Sequence, residues 1–267
     1  MKIWVLFCGF VSMCFATPTQ HLNFNLGYRY DHLTQKGDAN ITTQNGLITF
    51  FDRTLRDLNL LQLEAAFFIC FNEGFFFRGN VGYGWILSNP KIAYHHHVGQ
   101  QHIDGMTSVD RHKYALDLLG AIGWLWQLSP MTQLGPELGF AFAKLTIDKG
   151  NSLHNTLPFL GVQLYANFGD YFFSNVGLDY YFLGRRKEYI QLFNGQKLHS
   201  IHKGFVHGPQ CLLSIGYRLN SQWAFNCNAS LRYLMTNKEK DVMLREWLKL
   251  KTTWLMCQLL VGITYIF

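Results

Sequence analysis

The last eleven residues of the chain, CQLLVGITYIF at positions 257–267, decide its fold. Leu259, Val261, Ile263, Tyr265 and Phe267 share one parity, so in a β-strand they would form a continuous apolar row on one face. Strand ends in soluble domains usually fray into polar residues, whereas this stretch finishes on an aromatic side chain. It therefore predicts a strand whose outer face lies against an apolar environment.

The same alternation recurs along the chain in ten segments joined by two kinds of connection. Short turns such as Asn72-Glu73-Gly74, Gly169-Asp170 and Asn220-Ser221 alternate with long polar segments, apart from one shorter connection at 148–155. A further stretch, Gly46–Phe51, has strand character that would change the count. We predict strands at Leu22–Tyr30, Asp57–Phe71, Phe75–Leu87, Lys113–Leu128, Thr132–Ile147, Thr156–Phe168, Tyr171–Leu183, Gly208–Leu219, Gln222–Leu234 and Lys251–Phe267.

Strands joined alternately by short turns and long polar segments are typical of an all-β protein, a transmembrane antiparallel up-and-down β-barrel of about ten strands. A mean hydropathy of +0.01 with 49% hydrophobic residues fits a lipid-facing row that alternates with a polar lumen row. A soluble β-sandwich would not need such long strands throughout. The ending resembles the closing strand of bacterial outer-membrane barrels. That resemblance implies that the barrel-assembly machinery recognises Tyr265 and Phe267, and that both termini face the periplasm.

The N-terminal sequence predicts export. Lys2 precedes an apolar run from Ile3 to Phe15, and Ala16 offers a small residue for cleavage, so we expect a signal peptide at 1–16 and one barrel domain at 17–267. Lipoprotein processing at a cysteine is the alternative, but a bulky residue stands where that signal needs a small one. We therefore expect a monomer in the bacterial outer membrane. The net charge of +6 suits outer-membrane lipid and lipopolysaccharide, and export argues against nucleic acid as a partner.

Charged residues recur at the lumen-facing positions of the predicted strands. A barrel of this size is largely filled by its own side chains, so charges there would be partly desolvated and would each need a partner. We expect a packed ionic network, and a narrow selective channel is the alternative. The network positions are Arg29, Glu64, Arg78, Asp117, Glu137, Asp179, Arg218 and Arg232.

Histidines are concentrated in two of the predicted loops. His95, His96, His97 and His102 in the second long loop are candidate metal ligands, because imidazole binds zinc and copper. Solvated histidines that respond to pH are the alternative interpretation. No other cofactor is indicated by the sequence.

A basic cluster follows the aromatic end of the seventh predicted strand. Arg185, Arg186 and Lys187 stand at the expected height of the lipid head groups. Guanidinium groups suit phosphate, so this cluster is a candidate lipopolysaccharide-binding site. An ordinary solvated rim cluster is the alternative.

The size, the orientation and the long loops resemble the omptins, outer-membrane proteases with a site between extracellular loops. That resemblance implies an Asp-His dyad that activates water, and Asp110 and His112 have dyad spacing. They lie in an earlier loop than the dyad of that family, and no opposing Asp pair is visible.

The aromatic-rich barrel dotted with histidines is also similar to the Pom-type outer-membrane proteins of chlamydia-like bacteria. This resemblance implies a surface protein of an intracellular bacterium without an assigned reaction. We therefore expect a structural or adhesin-like role at the bacterial cell surface, carried by the extracellular loops, with a host-cell surface as a candidate partner. An omptin-like protease and a narrow channel are the alternatives.

Overall fold

The computed structural model describes the chain from residue 19 onward, apart from short segments. Described residues are 19–38, 41–43, 46–71, 74–87, 91–98, 101–108, 114–148, 151–191, 197–198, 202–236, 239–241 and 247–267. Side chains are described for 20–36, 54–55, 58–71, 74–87, 114–146, 152–188, 204–236 and 251–267. The predicted signal peptide lies outside these residues.

Within the described residues, ten antiparallel strands close into one barrel. They are β1 (Thr19–Asp38), β2 (Gly46–Cys70), β3 (Phe75–Ile86), β4 (Tyr114–Trp124), β5 (Thr132–Asp148), β6 (Asn151–Phe168), β7 (Phe172–Gln191), β8 (His202–Arg218), β9 (Trp223–Thr236) and β10 (Trp247–Ile266). Shorter strands are Ile41–Thr43, Lys91–Val98, Gln101–Ser108, Trp126–Ser129, Lys197–Leu198 and Glu239–Asp241. The described part of the chain contains no helix long and apolar enough to cross a membrane.

Each barrel strand pairs with its sequence neighbours, and β1 closes the ring by pairing with both β2 and β10. The register runs, for example, from Phe24 to Ile263 in β10 and to Ala65 in β2. At the closure the amide of Phe267 donates to the carbonyl of Gln20. The fold prediction of a ten-stranded, up-and-down barrel is therefore confirmed.

The two ends of the barrel differ. At one end, which we call the turn end, short connections such as Gly169–Tyr171 join the strands and β1 begins beside the last residue. At the other, the loop end, the connections are longer. In outer-membrane barrels short turns face the periplasm and long loops face outward. The loop end is therefore the outer one.

The two faces of the wall carry different residues, as the period of a β-strand requires. Outward side chains include Phe24, Leu26, Leu259 and Val261, each about half exposed. Aromatic residues collect near the turn end, where Trp223 packs against Tyr265 at 4.8 Å between ring centroids. This band is the lipid-facing girdle of the barrel. The cysteines in the described strands, Cys70, Cys211, Cys227 and Cys257, are free thiols.

The strands run further toward the loop end than the sequence predicted. The segment expected to be the first loop, Asp31–Arg56, is mostly the end of β1 and the start of β2, and Gly46–Phe51 extends β2 without adding a barrel strand. The second predicted loop contains the hairpin Lys91–Val98 with Gln101–Ser108. The loop boundaries were wrong because these extensions lie beyond the lipid-facing band, where a strand needs no apolar row.

Candidate functional site: the charged lumen and the loop-end surface

Arg78 joins two carboxylates in the middle of the lumen. Its Nε lies 2.6 Å from Oε2 of Glu137, and its Nη2 lies 2.5 Å from Oε1 of the same group and 3.1 Å from Oδ2 of Asp179. Gln163 donates to Glu137 at 2.7 Å. Both carboxylate side chains are fully buried, so their charges depend on this guanidinium.

Gly161 makes room for the two carboxylates. It lies between β5 and β7, opposite Glu137 on one side and Asp179 on the other. A Cβ at this position would collide with Asp179 and meet Oε1 of Glu137 at 2.9 Å. The absence of a side chain at Gly161 therefore lets both carboxylates approach the same guanidinium.

A second ionic group crosses the lumen. Arg29 holds Asp31 through two hydrogen bonds of 2.8 Å and also donates to Asp117. Arg232 reaches Asp117 at 3.5 Å and donates to Gln210 at 2.6 Å. Because β4 and β9, which carry Asp117 and Arg232, are five strands apart in a ten-stranded ring, this group bridges opposite walls. We call the two groups together the charged belt.

Glu64 has a different environment from the other lumen carboxylates. Asn25 and Asn80 each donate to it at 3.1 Å, and no cation in the described part of the chain lies within ion-pair distance. It lines a cavity of about 180 Å³ together with Arg78 and Arg232. The cavity lies on the turn-end side of the charged belt.

An aromatic layer closes that cavity toward the turn end. The ring centroids of Phe68 and Tyr165 lie 4.8 Å apart, and His21 contacts Phe68 and Phe173 edge to face. These residues also line a second cavity of about 530 Å³, which includes Arg218 and opens beside the turns. Arg218 bonds to Asn167 at 2.9 Å, away from the charged belt. The lumen is thus crossed by an ionic layer and an aromatic layer, and on the loop-end side of the ionic layer it is filled by a buried apolar cluster that includes Leu58, Leu157 and Trp254.

The predicted basic cluster on β7 is divided between two faces. Arg185 and Lys187 are exposed on the outer wall, whereas Arg186 is 3% exposed and faces the interior near Glu188. The alternation of a strand imposes this division. Arg186 therefore does not share a surface with its two neighbours.

The outer wall carries a row of basic residues at the height of Lys187. The register aligns Lys144, His154 and Lys187 on neighbouring strands, and Lys144 donates to the hydroxyl of Tyr114 at 2.7 Å. Burial lowers the pKa of His154, and the two lysines lower it further. Arg185 lies two residues closer to the membrane than Lys187, on the same outward face. Together these residues form what we call the basic row, whose charge suits phosphate.

The predicted metal and dyad residues lie where side chains are not described. His95, His96 and His97 are on the first strand of the loop-end hairpin and His102 is on the second. Asp110 and His112 lie outside the described residues, so the protease dyad stays a prediction. Among the side chains that are described, no group of three or more His, Cys, Asp or Glu residues could hold a metal ion.

Comparison with known proteins identifies the family. Residues 23–157, just over half of the chain, match the family model Pom, described as Protochlamydia outer membrane protein. The chain belongs to this family. The protein is therefore located in the bacterial outer membrane. No curated protein matches the Pom-family chain.

Solved structures place the Pom-family barrel among outer-membrane barrels. The outer membrane protease OmpT of Escherichia coli aligns with a TM-score of 0.66 at 8% identity, covering 93% of this chain and 97% of that one. At this identity the likeness shows the shared fold alone. The β-domain of the Bordetella autotransporter BrkA (TM-score 0.40, 10% identity, 94% and 99% covered) and a Pseudomonas aeruginosa FadL homologue (0.34, 9%, 95% and 91%) are also similar. These two scores are too low to indicate a shared strand arrangement.

Sequence reasoning missed several members of the Pom-family lumen. Asp31 was assigned to a loop, yet it is 1% exposed and paired with Arg29. Glu188, which accepts a hydrogen bond from Gln35 at 2.7 Å, was also placed in a loop. Asp31 continues the inward parity of β1, so the alternation alone could have found it. Glu188 does not continue the parity of Asp179, because a bulge at Leu183, whose φ is +50°, moves the inward positions of β7 from odd to even numbers. Nothing in the sequence indicated that Gln163 or Gln210 would bond to the charged belt.

Proposed function

We propose that this Pom-family barrel is a surface-interaction protein with a closed lumen, and that its loop end binds a partner on a host-cell surface. The observation that carries the proposal is the extension of the wall beyond the lipid-facing band. The outward apolar row of β1 ends at Tyr30, and the strand runs on to Asp38. At about 3.3 Å per residue and a tilt of about 45°, this extension projects roughly 20 Å.

The interior of the barrel supports the same proposal. The charged belt joins opposite walls, and the aromatic layer lies behind it. Side chains that fill a lumen leave the outer surfaces as the place for interaction. The hairpin at the loop end is added to the edge of β2, which enlarges the projecting wall on one side.

Adhesion of a harmless bacterium that displays the barrel tests this proposal. We expect the wild-type barrel to increase attachment to cultured host cells, and replacement of Lys91–Ser108 by a short Gly-Ser turn to abolish the increase. A barrel with the turn-end connection Gly169–Tyr171 replaced in the same way is the matched control and should attach normally. Different gel migration of unboiled and boiled samples verifies folding of each variant. Attachment no greater than that of cells without the barrel would contradict the proposal.

A further inference from the structure

The loop-end hairpin brings histidines from two strands to one face. Its register pairs His97 with His102 and His95 with Asp104. Directly opposed residues of an antiparallel pair lie on the same face, as do residues two apart along one strand. These four residues therefore share one face of the hairpin, while His96, which is paired with Ile103, is placed on the other.

A third strand extends this face. The start of β2 pairs with the hairpin so that Asp52 stands opposite His95. The register thus places His95 between two acidic positions, Asp52 on one side and Asp104 on the other. Carboxylates beside a metal-binding imidazole serve either as ligands or as groups that fix the orientation of the ring.

We propose that this face, on which the register juxtaposes His95, His97, His102 and Asp104, binds a divalent transition metal, with zinc as the best-suited ion. Asp52 occupies the register position beside His95. The four ligand positions form a quadrilateral of roughly 5 by 7 Å, given the spacing of opposed residues and of alternate residues in strands. Three imidazoles and a carboxylate form a donor set that suits zinc, and four ligands match its tetrahedral preference. The site does not depend on the adhesive role.

Zinc titration of the full-length barrel in detergent, without a polyhistidine tag, tests the site. We expect one equivalent to bind in competition with a chromophoric chelator. His97→Ala and His102→Ala should each weaken binding by more than the roughly tenfold that loss of an orienting group costs. His96→Ala is the matched control, because it removes an imidazole from the same tripeptide but from the opposite face, and it should bind zinc as the wild type does.

Two outcomes would overturn the site. One is a wild-type barrel that binds no stoichiometric zinc, and the other is His96→Ala weakening binding as much as His97→Ala. Cobalt provides a second readout, since a tetrahedral site gives intense visible absorption that octahedral solvent coordination does not. Asp104→Asn should shift that spectrum while the barrel keeps the gel migration of the folded form. An unchanged cobalt spectrum in this variant would remove Asp104 from the site.

Discussion

Arg78 is the residue whose loss should disturb the lumen most, because it faces two buried carboxylates. Arg78→Met removes the guanidinium and leaves Glu137 and Asp179 without a cation nearby. Breaking a buried pair in this way costs about 3–5 kcal/mol. Urea unfolding in detergent micelles should show this loss. Arg185→Met, at an exposed position on the outer wall, should change stability by no more than about 0.5 kcal/mol. Equal losses in the two variants would contradict the assigned network.

Gly161 provides an independent test of the contacts among Arg78, Glu137 and Asp179, because a single added methyl group should disturb them. Gly161→Ala places a Cβ against Asp179 and Glu137, and we expect it to destabilise the barrel by about 1–3 kcal/mol. Gly120→Ala is the matched control, since an added Cβ there meets no atom within 4 Å. It should leave stability unchanged or raise it by about 0.5 kcal/mol. Thermal unfolding followed by gel migration compares the two, and a harmless Gly161→Ala would contradict the close approach.

Across neighbouring strands, the basic row is the feature that only the register reveals. Lys144→Ala with Lys187→Ala should reduce the thermal stabilisation that lipopolysaccharide gives to the barrel, because each cation near an anionic surface contributes about 1 kcal/mol. Lys36→Ala with Lys251→Ala is the control, since this exposed pair on β1 and β10 removes the same charge elsewhere. The control should lose less of the stabilisation. Equal losses would indicate a general charge effect, and dephosphorylated lipopolysaccharide should stabilise all variants alike.

His154 in the basic row should make the stability of the barrel depend on pH. Its pKa is lowered by burial and by Lys144 and Lys187. As the pH falls, the unfolded chain therefore takes up this proton near pH 6.5, before the folded barrel does. Stability should be lost through and below that pH. His154→Gln should flatten this part of the profile of stability against pH, and an unchanged slope in the variant would contradict the assignment.

The strand alternation explains which parts of the fold and sites could be predicted. Where one face meets lipid, the apolar row of residues such as Phe24 and Leu26 fixes both the strand and its inward positions. Beyond the lipid the outward face is polar, so no outward apolar row separates strand from loop there, and Asp31 was misplaced. The basic cluster at 185–187 was treated as one surface for the same reason, although Arg186 faces inward. Contacts between distant strands, such as Arg232 with Asp117, depend on barrel closure and have no local signal.

At the scale of the whole molecule, a lumen filled along its length should make the barrel electrically silent. The charged belt, the aromatic layer and the buried apolar cluster each fill a cross-section of the lumen, so removing one should leave the others closed. We expect no conductance steps from the wild type in planar bilayers. Phe68→Ala with Phe173→Ala should also stay silent. Adding Arg78→Ala, Glu137→Ala and Asp179→Ala removes a cation together with its two partners, and the combined variant should also stay silent, because the buried apolar cluster still fills the loop-end side of the lumen.

The variant with Arg78→Ala, Glu137→Ala and Asp179→Ala that keeps Phe68 and Phe173 completes the comparison. It leaves Phe68 and Tyr165 in contact, so it should remain silent if the layers act in series. Discrete steps from this variant would place closure in the charged belt alone. Steps from the wild-type barrel would overturn the closed lumen and favour the narrow channel. Because the apolar cluster on the loop-end side is intact in every variant, silence throughout the series is expected of a filled lumen, and steps confined to the combined variant would place closure in the charged belt and the aromatic layer.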